Sequence, residues 1–213
     1  MFRILRGAVR SLLRWYFHLR VTGSDECPGG PLIVAANHAS FLDPFILQVT
    51  FPRRIVFMVT ASFYDLWRFR WFLWLMGCIR VEDEAPNRRA LEQAFAVLER
   101  GGVIGIFPEG AISRDGKLQP AQPGAAAMVL RAHAPLVPAY IKGLFEAFPR
   151  TARFPRPKPV EVRYGRPISY DGIATDLPRR LRTRQLTREL MQELARLGQV
   201  TAPVSDLDPL PKR

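Results

Sequence analysis

A histidine and an aspartate lie five residues apart, directly after an apolar run near the start of the chain. His38 and Asp43 follow Leu32-Ile33-Val34-Ala35-Ala36, which has the length and composition of a buried β-strand. A carboxylate that bonds one imidazole nitrogen fixes the tautomer and stabilises the imidazolium ion, so the pair is the minimal unit that can take a proton from a hydroxyl group. A histidine after a strand is also compatible with a packed residue, and Asp43-Pro44 has the form of a helix N-cap followed by proline.

A second group of polar residues follows another apolar run. Residues 103–107 have the pattern of a buried strand and lead into Pro108-Glu109-Gly110. The carboxyl ends of parallel strands meet at one edge of a sheet, which is where ligands of open α/β proteins gather. We therefore expect His38, Asp43 and Glu109 to converge at that edge, although a glutamate in a Pro-Glu-Gly turn is also compatible with a solvated turn residue.

Apolar periodicity predicts the elements that position these residues. Besides the two runs above, strand patterns occur at 19–23, 55–60, 77–82, 135–141 and 160–164. Helical patterns occur at 2–19, from Asp43 onwards, and at 62–76, 87–100, 124–133 and 178–197. This alternation predicts a single α/β domain with a mainly parallel central sheet flanked by helices. We expect the domain to span 21–200, between an N-terminal amphipathic membrane-associating helix at 1–20 and a flexible tail at 201–213.

The N-terminal helical pattern is amphipathic. Its basic residues recur every three or four positions and share one face: Arg3, Arg6, Arg10, Arg14 and His18. Aromatic and aliphatic residues fill most of the remaining surface. A basic stripe beside a broad apolar face suits a helix that lies in the interface of an anionic bilayer. The alternative is a terminal helix whose apolar face packs on the protein's own core.

Residues 62–76 hold three of the four tryptophans of the chain. In a helix, one face would carry Phe63, Trp67, Trp71 and Trp74, with arginines beside them. Indole rings and guanidinium groups suit the headgroup zone of a bilayer, where a ring is half in water and a cation meets phosphate. The alternative is an aromatic-rich helix of the core.

The composition restricts the partners and the kinds of site. A formal net charge of +12 and a pI near 10.7 favour an anionic partner, and composition leaves nucleic acid, an anionic membrane surface and a phosphorylated substrate open. The two cysteines and three histidines show neither a disulfide framework nor metal-ligand spacing, so we expect no metal. The chain lacks a glycine-rich nucleotide loop and a Gly-x-Ser-x-Gly elbow, and we interpret Ser40 as a turn residue. We also expect no signal peptide and no transmembrane helix, because basic residues interrupt the apolar runs.

On these residues the chain resembles the lysophospholipid (1-acylglycerol-3-phosphate) acyltransferase family of membrane glycerolipid acyltransferases. His38 to Asp43 resembles the first motif of that family, His-x4-Asp, and residues 107–110 resemble the third, Phe-Pro-Glu-Gly. Residues 77–82 and 136–140 are similar to the second and fourth motifs. The order and spacing of the motifs agree from about residue 15 to about residue 170.

The resemblance implies transfer of a fatty acyl group from acyl-CoA or acyl-carrier protein to the hydroxyl of 1-acylglycerol 3-phosphate or a related lysolipid, with no cofactor besides the acyl donor. His38 would be the general base and Asp43 its orienting partner. Backbone N–H groups near the strand exit are candidates for stabilising the oxyanion. The implied acceptor-binding residues are Phe107, Pro108, Glu109, Gly110, Arg80 and Arg114.

Two positions depart from the family pattern. Asp83 stands where the second motif usually ends in arginine, and the third motif continues Ala111-Ile112-Ser113 in place of Thr-Arg-Ser. The family assigns those arginines to the phosphate of the acceptor, which makes Arg80 and Arg114 the candidate substitutes. The acceptor could accordingly be 1-acylglycerol 3-phosphate or a different lysolipid.

The basic helix and the Trp-rich segment predict a peripheral or monotopic enzyme at the cytoplasmic face of the cell membrane. The alternative is a non-catalytic lipid-binding or membrane-scaffold protein on the same fold, with its phosphate-binding arginines lost. A nucleic-acid-binding function rests on positive charge alone, without a recognisable motif, and is not expected.

Overall fold

A computed structural model of the chain describes residues 2–25, 27–67, 70, 73–74, 76–82, 88–169 and 177–203, and the side chains of residues 2–6 lie outside that description. The strands are β1 (Arg20–Thr22), β2 (Leu32–Ala36), β3 (Ile55–Thr60), β4 (Ile79–Val81), β5 (Val103–Ile106), β6 (Leu136–Lys142) and β7 (Glu161–Tyr164). The helices are α1 (Phe2–Phe17), α2 (Asp43–Thr50), α3 (Ala61–Tyr64), α4 (Arg88–Glu99), α5 (Gly124–Ala132), α6 (Leu144–Ala147) and α7 (Arg179–Gly198).

The strands form one seven-stranded sheet in the order β1-β7-β6-β2-β5-β3-β4. Strands β6, β2, β5, β3 and β4 run parallel to one another, β7 runs antiparallel to β6, and β1 runs parallel to β7. The central strand β2 pairs with β5 and β6, so that Ile33 faces Ile104 on one side and Leu136 on the other. The predicted single α/β domain with a mainly parallel sheet is confirmed.

Helices cover both faces of the sheet, which explains the uninterrupted apolar sequence of β2. Ile33 and Ala35 belong to a core cluster with α4, α5 and α7, whereas Leu32, Val34 and Ala36 belong to a second cluster with α1 and α2. Successive side chains of a strand point to opposite faces, and a parallel strand between two helical layers is therefore apolar at every position. The segment that carries His38 thus follows a strand that packing holds on both sides.

Helix α1 packs on the core with only one part of its apolar surface. Leu13 and Phe17 are buried in the cluster that includes α2. Leu12 and Trp15, in contrast, are 59% and 75% exposed. Part of the apolar surface therefore belongs to the protein's own core, as the alternative interpretation expected, whereas contact of the exposed part with a bilayer stays a prediction.

The basic stripe of α1 is described in part. Arg14 is exposed and Arg10 is half-buried, whereas the side chains of Arg3 and Arg6 lie outside the described part of the chain. His18, with a φ of 48°, follows the last residue of the helix. Among the described residues, we find no helix with the length and hydropathy of a membrane span.

The prediction of one continuous helix over residues 62–76 is wrong. Helix α3 ends at Tyr64, residues 65 and 66 are not helical, and the described residues 67, 70, 73 and 74 are again helical. The N–H of Leu66 donates to the carbonyl of Phe63 at 3.3 Å, a three-residue turn that ends the first helix. In the same turn, the carboxylate of Asp65 binds Arg80 of β4, so this part of the chain is held by a tertiary contact.

The two described tryptophans of this segment are not core residues. Trp67 is 82% exposed and Trp74 is 73% exposed, while Trp71 lies outside the described residues. Leu66 beside them is also exposed. Because large aromatic side chains are usually buried in water-soluble domains, an exposed pair is informative about what this surface contacts.

Candidate active site

Asn37, the first residue after β2, continues the strand pairing with its side chain. Its Nδ2 donates to the carbonyl of Ile141 at 3.0 Å, and its Oδ1 accepts the N–H of Ile141 at 2.7 Å. The buried amide therefore satisfies both backbone groups of a β6 residue that a longer β2 would have paired. The main chain can turn away at His38 without leaving these groups unpaired.

His38 and Asp43 are in direct contact. Nδ1 of His38 lies 2.8 Å from Oδ2 of Asp43, and the two side chains are 15% and 0% exposed. The same Oδ2 accepts the backbone N–H groups of Ala39 and Ser40, each at 2.7 Å. An ionised carboxylate only accepts hydrogen bonds, so this contact assigns the proton to Nδ1 and leaves the lone pair on Nε2. That tautomer is the one in which Nε2 can act as a base.

The interpretation of Asp43 as the N-cap of α2 is wrong. Asp43 is the first residue of the helix, Leu42 occupies the cap position without a side-chain hydrogen bond, and the carboxylate turns back to the preceding loop. Its Oδ1 is buried and has no hydrogen-bond partner among the described residues. Burial raises the pKa of Asp43, and the hydrogen bonds from His38, Ser40 and Ala39 oppose that rise.

Glu109 reaches the same loop from the neighbouring strand β5. Its Oε1 accepts the backbone N–H of His38 at 2.7 Å, and its Oε2 accepts that of Gln119 at 2.9 Å. The residue is buried, which rules out a solvated turn residue. The pKa of Glu109 is raised to about 7, mainly by burial and to a smaller extent by the Asp43 carboxylate, and this is the net result after the two backbone hydrogen bonds have lowered it. The three polar residues therefore do converge at one edge of the sheet.

The ring of Phe107 lies along the imidazole. The ring centroids of His38 and Phe107 are 3.9 Å apart with 14° between the planes, and Phe57 stacks on Phe107 at 5.8 Å. Such a stack restricts rotation of the imidazole. The negative face of the phenyl ring would also favour an imidazolium ion at His38 over the neutral ring.

Pro108 and Gly110 shape the turn after β5. The carbonyl of Pro108 accepts a hydrogen bond from the N–H of Gln122 at 2.8 Å, and the N–H of Gly110 donates to the backbone carbonyl of Phe107 at 3.1 Å. Gly110 has a φ of 76°, and a Cβ there would lie 2.6 Å from Nε2 of Gln122. Glycine is therefore favoured by conformation and by space. The role of Pro108 and Gly110 in binding an acceptor stays a prediction.

The backbone N–H groups at the exit of β2 are already engaged. Those of His38, Ala39 and Ser40 donate to Glu109 and Asp43. They are not free to stabilise an oxyanion, so donors for that purpose have to come from other groups.

Ser40 is a structural residue that holds the loop. It is buried, its Oγ donates to the carbonyl of Phe148 at 2.7 Å, and it accepts the N–H of Leu42 at 3.2 Å. No local pattern in the sequence assigns this tertiary contact, or that of Asn37. The sequence does show polar residues directly after a fully apolar strand. Because a buried polar group requires a hydrogen-bond partner, their position indicates that they bond to another part of the chain, but not to which part.

The two predicted arginines lie in different places. Arg80 is on β4, the third strand from β2, and its Nη2 lies 2.7 Å from Oδ2 of Asp65, with a second ion pair to Glu82. Arg114 lies on the wall of a cavity of about 400 Å³ beside the loop. The structure does not bring Arg80 to the His38 cluster, and its role in acceptor binding stays a prediction. Within the described ranges, no group of three His, Cys, Asp or Glu residues is placed to hold a metal ion.

Similar sequences carry acyltransferase names. The 1-acyl-sn-glycerol-3-phosphate acyltransferase of Limnanthes douglasii is 27% identical, over 79% of this chain and 61% of its own length. The protein of that name from Cocos nucifera is 29% identical, over 75% of this chain and 53% of its own length. The chain thus spans about half to three fifths of the length of these curated relatives.

A solved structure shares the fold. The 1-acyl-sn-glycerophosphate (LPA) acyltransferase PlsC from Thermotoga maritima superposes with a TM-score of 0.70 at 22% identity, covering 90% of this chain and 78% of that chain. A family model described as Acyltransferase matches residues 18–142, more than half of the chain. This match includes the loop of His38 and Asp43 and the turn of Glu109, and the chain therefore belongs to the Acyltransferase family.

Proposed function

We propose that the protein transfers a fatty acyl group from a thioester donor to the free hydroxyl of a lysophospholipid, with His38 as the general base. The observation that carries this proposal is the 2.8 Å contact between Nδ1 of His38 and Oδ2 of Asp43. It directs the lone pair of the imidazole to Nε2, on a side chain that is partly open to solvent.

The reaction is direct acyl transfer. Nε2 takes the proton of the acceptor hydroxyl while its oxygen attacks the thioester carbonyl carbon. Collapse of the tetrahedral intermediate breaks the C–S bond, and the imidazolium returns the proton to the departing thiolate. Asp43 and the Phe107 ring both favour the imidazolium between these steps. The products are the acyl ester and a free thiol.

The acceptor is 1-acylglycerol 3-phosphate or a related lysolipid. The names of the similar proteins support this choice. Acyl-CoA and acyl-carrier protein both present the required thioester, and both remain donors to be tested. Positions 111 and 112 are alanine and isoleucine, so the phosphate of such an acceptor needs a cation from elsewhere in the chain.

The protein works at an anionic membrane surface, as a peripheral or monotopic enzyme on the cytoplasmic face. The exposed Trp67 and Trp74 support this proposal, as do the exposed Leu12 and Trp15 of α1. A net charge of +12 supports attraction to anionic lipids.

The test is the release of free thiol from acyl-CoA, and from acyl-carrier protein, in the presence of a panel of lysolipids in anionic vesicles. The wild type should turn over with at least one acceptor. His38→Ala should lose on the order of 10²–10⁴-fold in rate. His18→Asn is the matched control, because His18 is an exposed histidine outside the site and asparagine tolerates its positive φ.

Full activity of a folded His38→Ala variant would contradict the role of His38. If the wild type shows no turnover with any acceptor and either donor, the lipid-binding alternative on the same fold is favoured instead.

A further inference from the structure

A cavity of about 400 Å³ opens beside the His38 loop, and two arginines belong to its lining: Ser113, Arg114, Phe145, Pro149, Arg150 and Thr151. We propose that Arg114 and Arg150 together bind the phosphate monoester of the acceptor. By binding that phosphate, Arg150 would help to determine the specificity for the acceptor. It lies outside all four sequence motifs, so a comparison of motifs does not reveal it. This inference rests on the proposed acyl transfer.

Both arginines belong to segments that are bonded to the His38 loop. The N–H of Ser113, the residue before Arg114, donates to the carbonyl of His38 at 2.8 Å. The hydroxyl of Ser40 donates to the carbonyl of Phe148, two residues before Arg150, at 2.7 Å. The His38 loop is therefore bonded to both walls of the cavity, one formed by Ser113 and Arg114 and the other by residues between 145 and 151, so the cavity adjoins the loop that carries the proposed general base.

The walls are held by contacts of their own. Ser113 is buried, and the single hydrogen of its hydroxyl is shared between two acceptors, Oδ1 of Asp115 at 3.0 Å and the carbonyl of Lys117 at 2.9 Å. Gly116 packs so closely on the second wall that a Cβ there would lie 2.7 Å from the ring of Phe145. The arginines thus project from fixed backbone, which lowers the entropy lost when they bind a ligand.

The guanidinium groups of this pair are available. Both residues are exposed, and neither makes an ion pair or a hydrogen bond with its side chain within the part of the chain that the structure describes. Arg80 differs because Asp65 and Glu82 already bind its guanidinium. Arg53 also differs, because it donates to three backbone carbonyls.

The chemistry of the cavity matches a phosphate monoester. A dianionic phosphate offers several oxygens, and guanidinium groups bind such oxygens in a bidentate manner with charge-assisted hydrogen bonds. Cavities of roughly 300–1,000 Å³ are typical of small-molecule sites, which accommodates a glycerol phosphate headgroup. Because position 112 is isoleucine, the positive charge that the family carries there is supplied by Arg114 on one wall and Arg150 on the other.

The test compares Arg150→Gln and Arg114→Gln with Arg153→Gln, a matched control on the same connection that does not line the cavity. Transfer is measured with 1-acylglycerol 3-phosphate, with monoacylglycerol as the phosphate-free acceptor, and with varied acyl-CoA. We expect KM for the phosphate acceptor to rise about 10- to 100-fold in each site variant, as for loss of a charged hydrogen bond. KM for monoacylglycerol and for acyl-CoA should stay at the level of the control.

Equal KM values for Arg150→Gln and Arg153→Gln overturn the proposal. A rise in KM for acyl-CoA with no rise for the acceptor also overturns it, because the bound phosphate would then belong to the donor.

Equilibrium binding of glycerol 3-phosphate, without any donor, separates this inference from the proposed function. If the wild type binds it more tightly than Arg150→Gln and Arg114→Gln, the phosphate site stands even if no acyl transfer is found. If the wild type and the site variants bind it equally, or none binds it, the site is overturned even if transfer is active.

Discussion

The backbone N–H of His38 donates to Oε1 of Glu109 at 2.7 Å, across 71 residues of sequence. The other oxygen of the Glu109 carboxylate, Oε2, accepts a hydrogen bond from the backbone N–H of Gln119. Glu109 therefore joins the loop after β2 to the loop after β5, and it positions the backbone of His38, the proposed general base. Its predicted contact with an acceptor remains a prediction.

The first prediction concerns the stability of the protein near neutral pH. Burial raises the pKa of Glu109 from an ordinary 4.5 to about 7. Between these values the folded state holds a proton that the unfolded chain has lost, so the free energy of unfolding falls as pH rises, by about 3 kcal/mol in total. Glu109→Gln should lose this part of the pH dependence. Urea unfolding at intervals from pH 4 to 8 measures it.

Glu99→Gln, at the exposed end of α4, is the control for the removal of a carboxylate. The prediction fails if Glu109→Gln keeps the wild-type slope over the same pH range.

The second prediction concerns the charge of Asp43. In Asp43→Asn, the amide oxygen can still accept the N–H groups of Ala39 and Ser40, so the loop and the tautomer of His38 are retained. The negative charge that stabilises the imidazolium is lost, and kcat should fall on the order of 10²–10⁴-fold. Initial rates at saturating donor and acceptor measure the effect.

Asp25→Asn, at an exposed position, should leave kcat unchanged. A folded Asp43→Asn variant with a kcat within twofold of the wild type would show that the charge of Asp43 has no part in the reaction.

The third prediction concerns the turn after β5. Gly110→Ala places an L-residue at a φ of 76° and brings its Cβ to within 2.6 Å of Gln122. We expect the free energy of unfolding to fall by about 1–2 kcal/mol from backbone strain alone. The double variant Gly110→Ala/Gln122→Ala removes the contact with the Gln122 side chain. It should therefore recover only the loss of stability due to that contact, and the loss due to backbone strain should persist. Thermal or urea unfolding measures both changes.

Gly124→Ala is the control, since a Cβ added to Gly124 at the start of α5 would meet no atom within 4 Å. A Gly110→Ala variant as stable as Gly124→Ala would contradict the strain argument.

The fourth prediction concerns the exposed tryptophans. Burial of a large apolar side chain in the bilayer interface contributes about 1.5–3 kcal/mol, so Trp67→Ser and Trp74→Ser should each weaken vesicle binding by about tenfold or more. Both side chains are exposed, and the stability of the free protein should not change. Sedimentation with anionic vesicles measures the fraction of each variant that is bound to the vesicles.

Val200→Ser, an exposed apolar residue after α7, is the control for loss of exposed apolar surface. Unchanged sedimentation of the double tryptophan variant would show that this segment does not contact the membrane.

The sequence by itself determined the sheet and the place of the site. The uninterrupted apolar runs before His38 and Glu109 predict parallel strands buried on both faces, and the exits of such strands share one edge. β2 and β5 are indeed neighbours in the sheet. These inferences succeeded because apolar periodicity is a local property, which a chain expresses in the same way wherever it packs.

Only the tertiary structure decided which partner each side chain takes. The periodicity of α1 groups its apolar residues on one broad face, but it does not record that Leu13 is buried while Trp15 is exposed. Likewise, an aspartate before a proline has the sequence pattern of a helix N-cap. The carboxylate of Asp43 instead accepts hydrogen bonds from N–H groups of the preceding loop. The two arginines of the cavity lie on segments far apart in sequence. Such contacts depend on how packing brings distant segments together, and no local pattern records that.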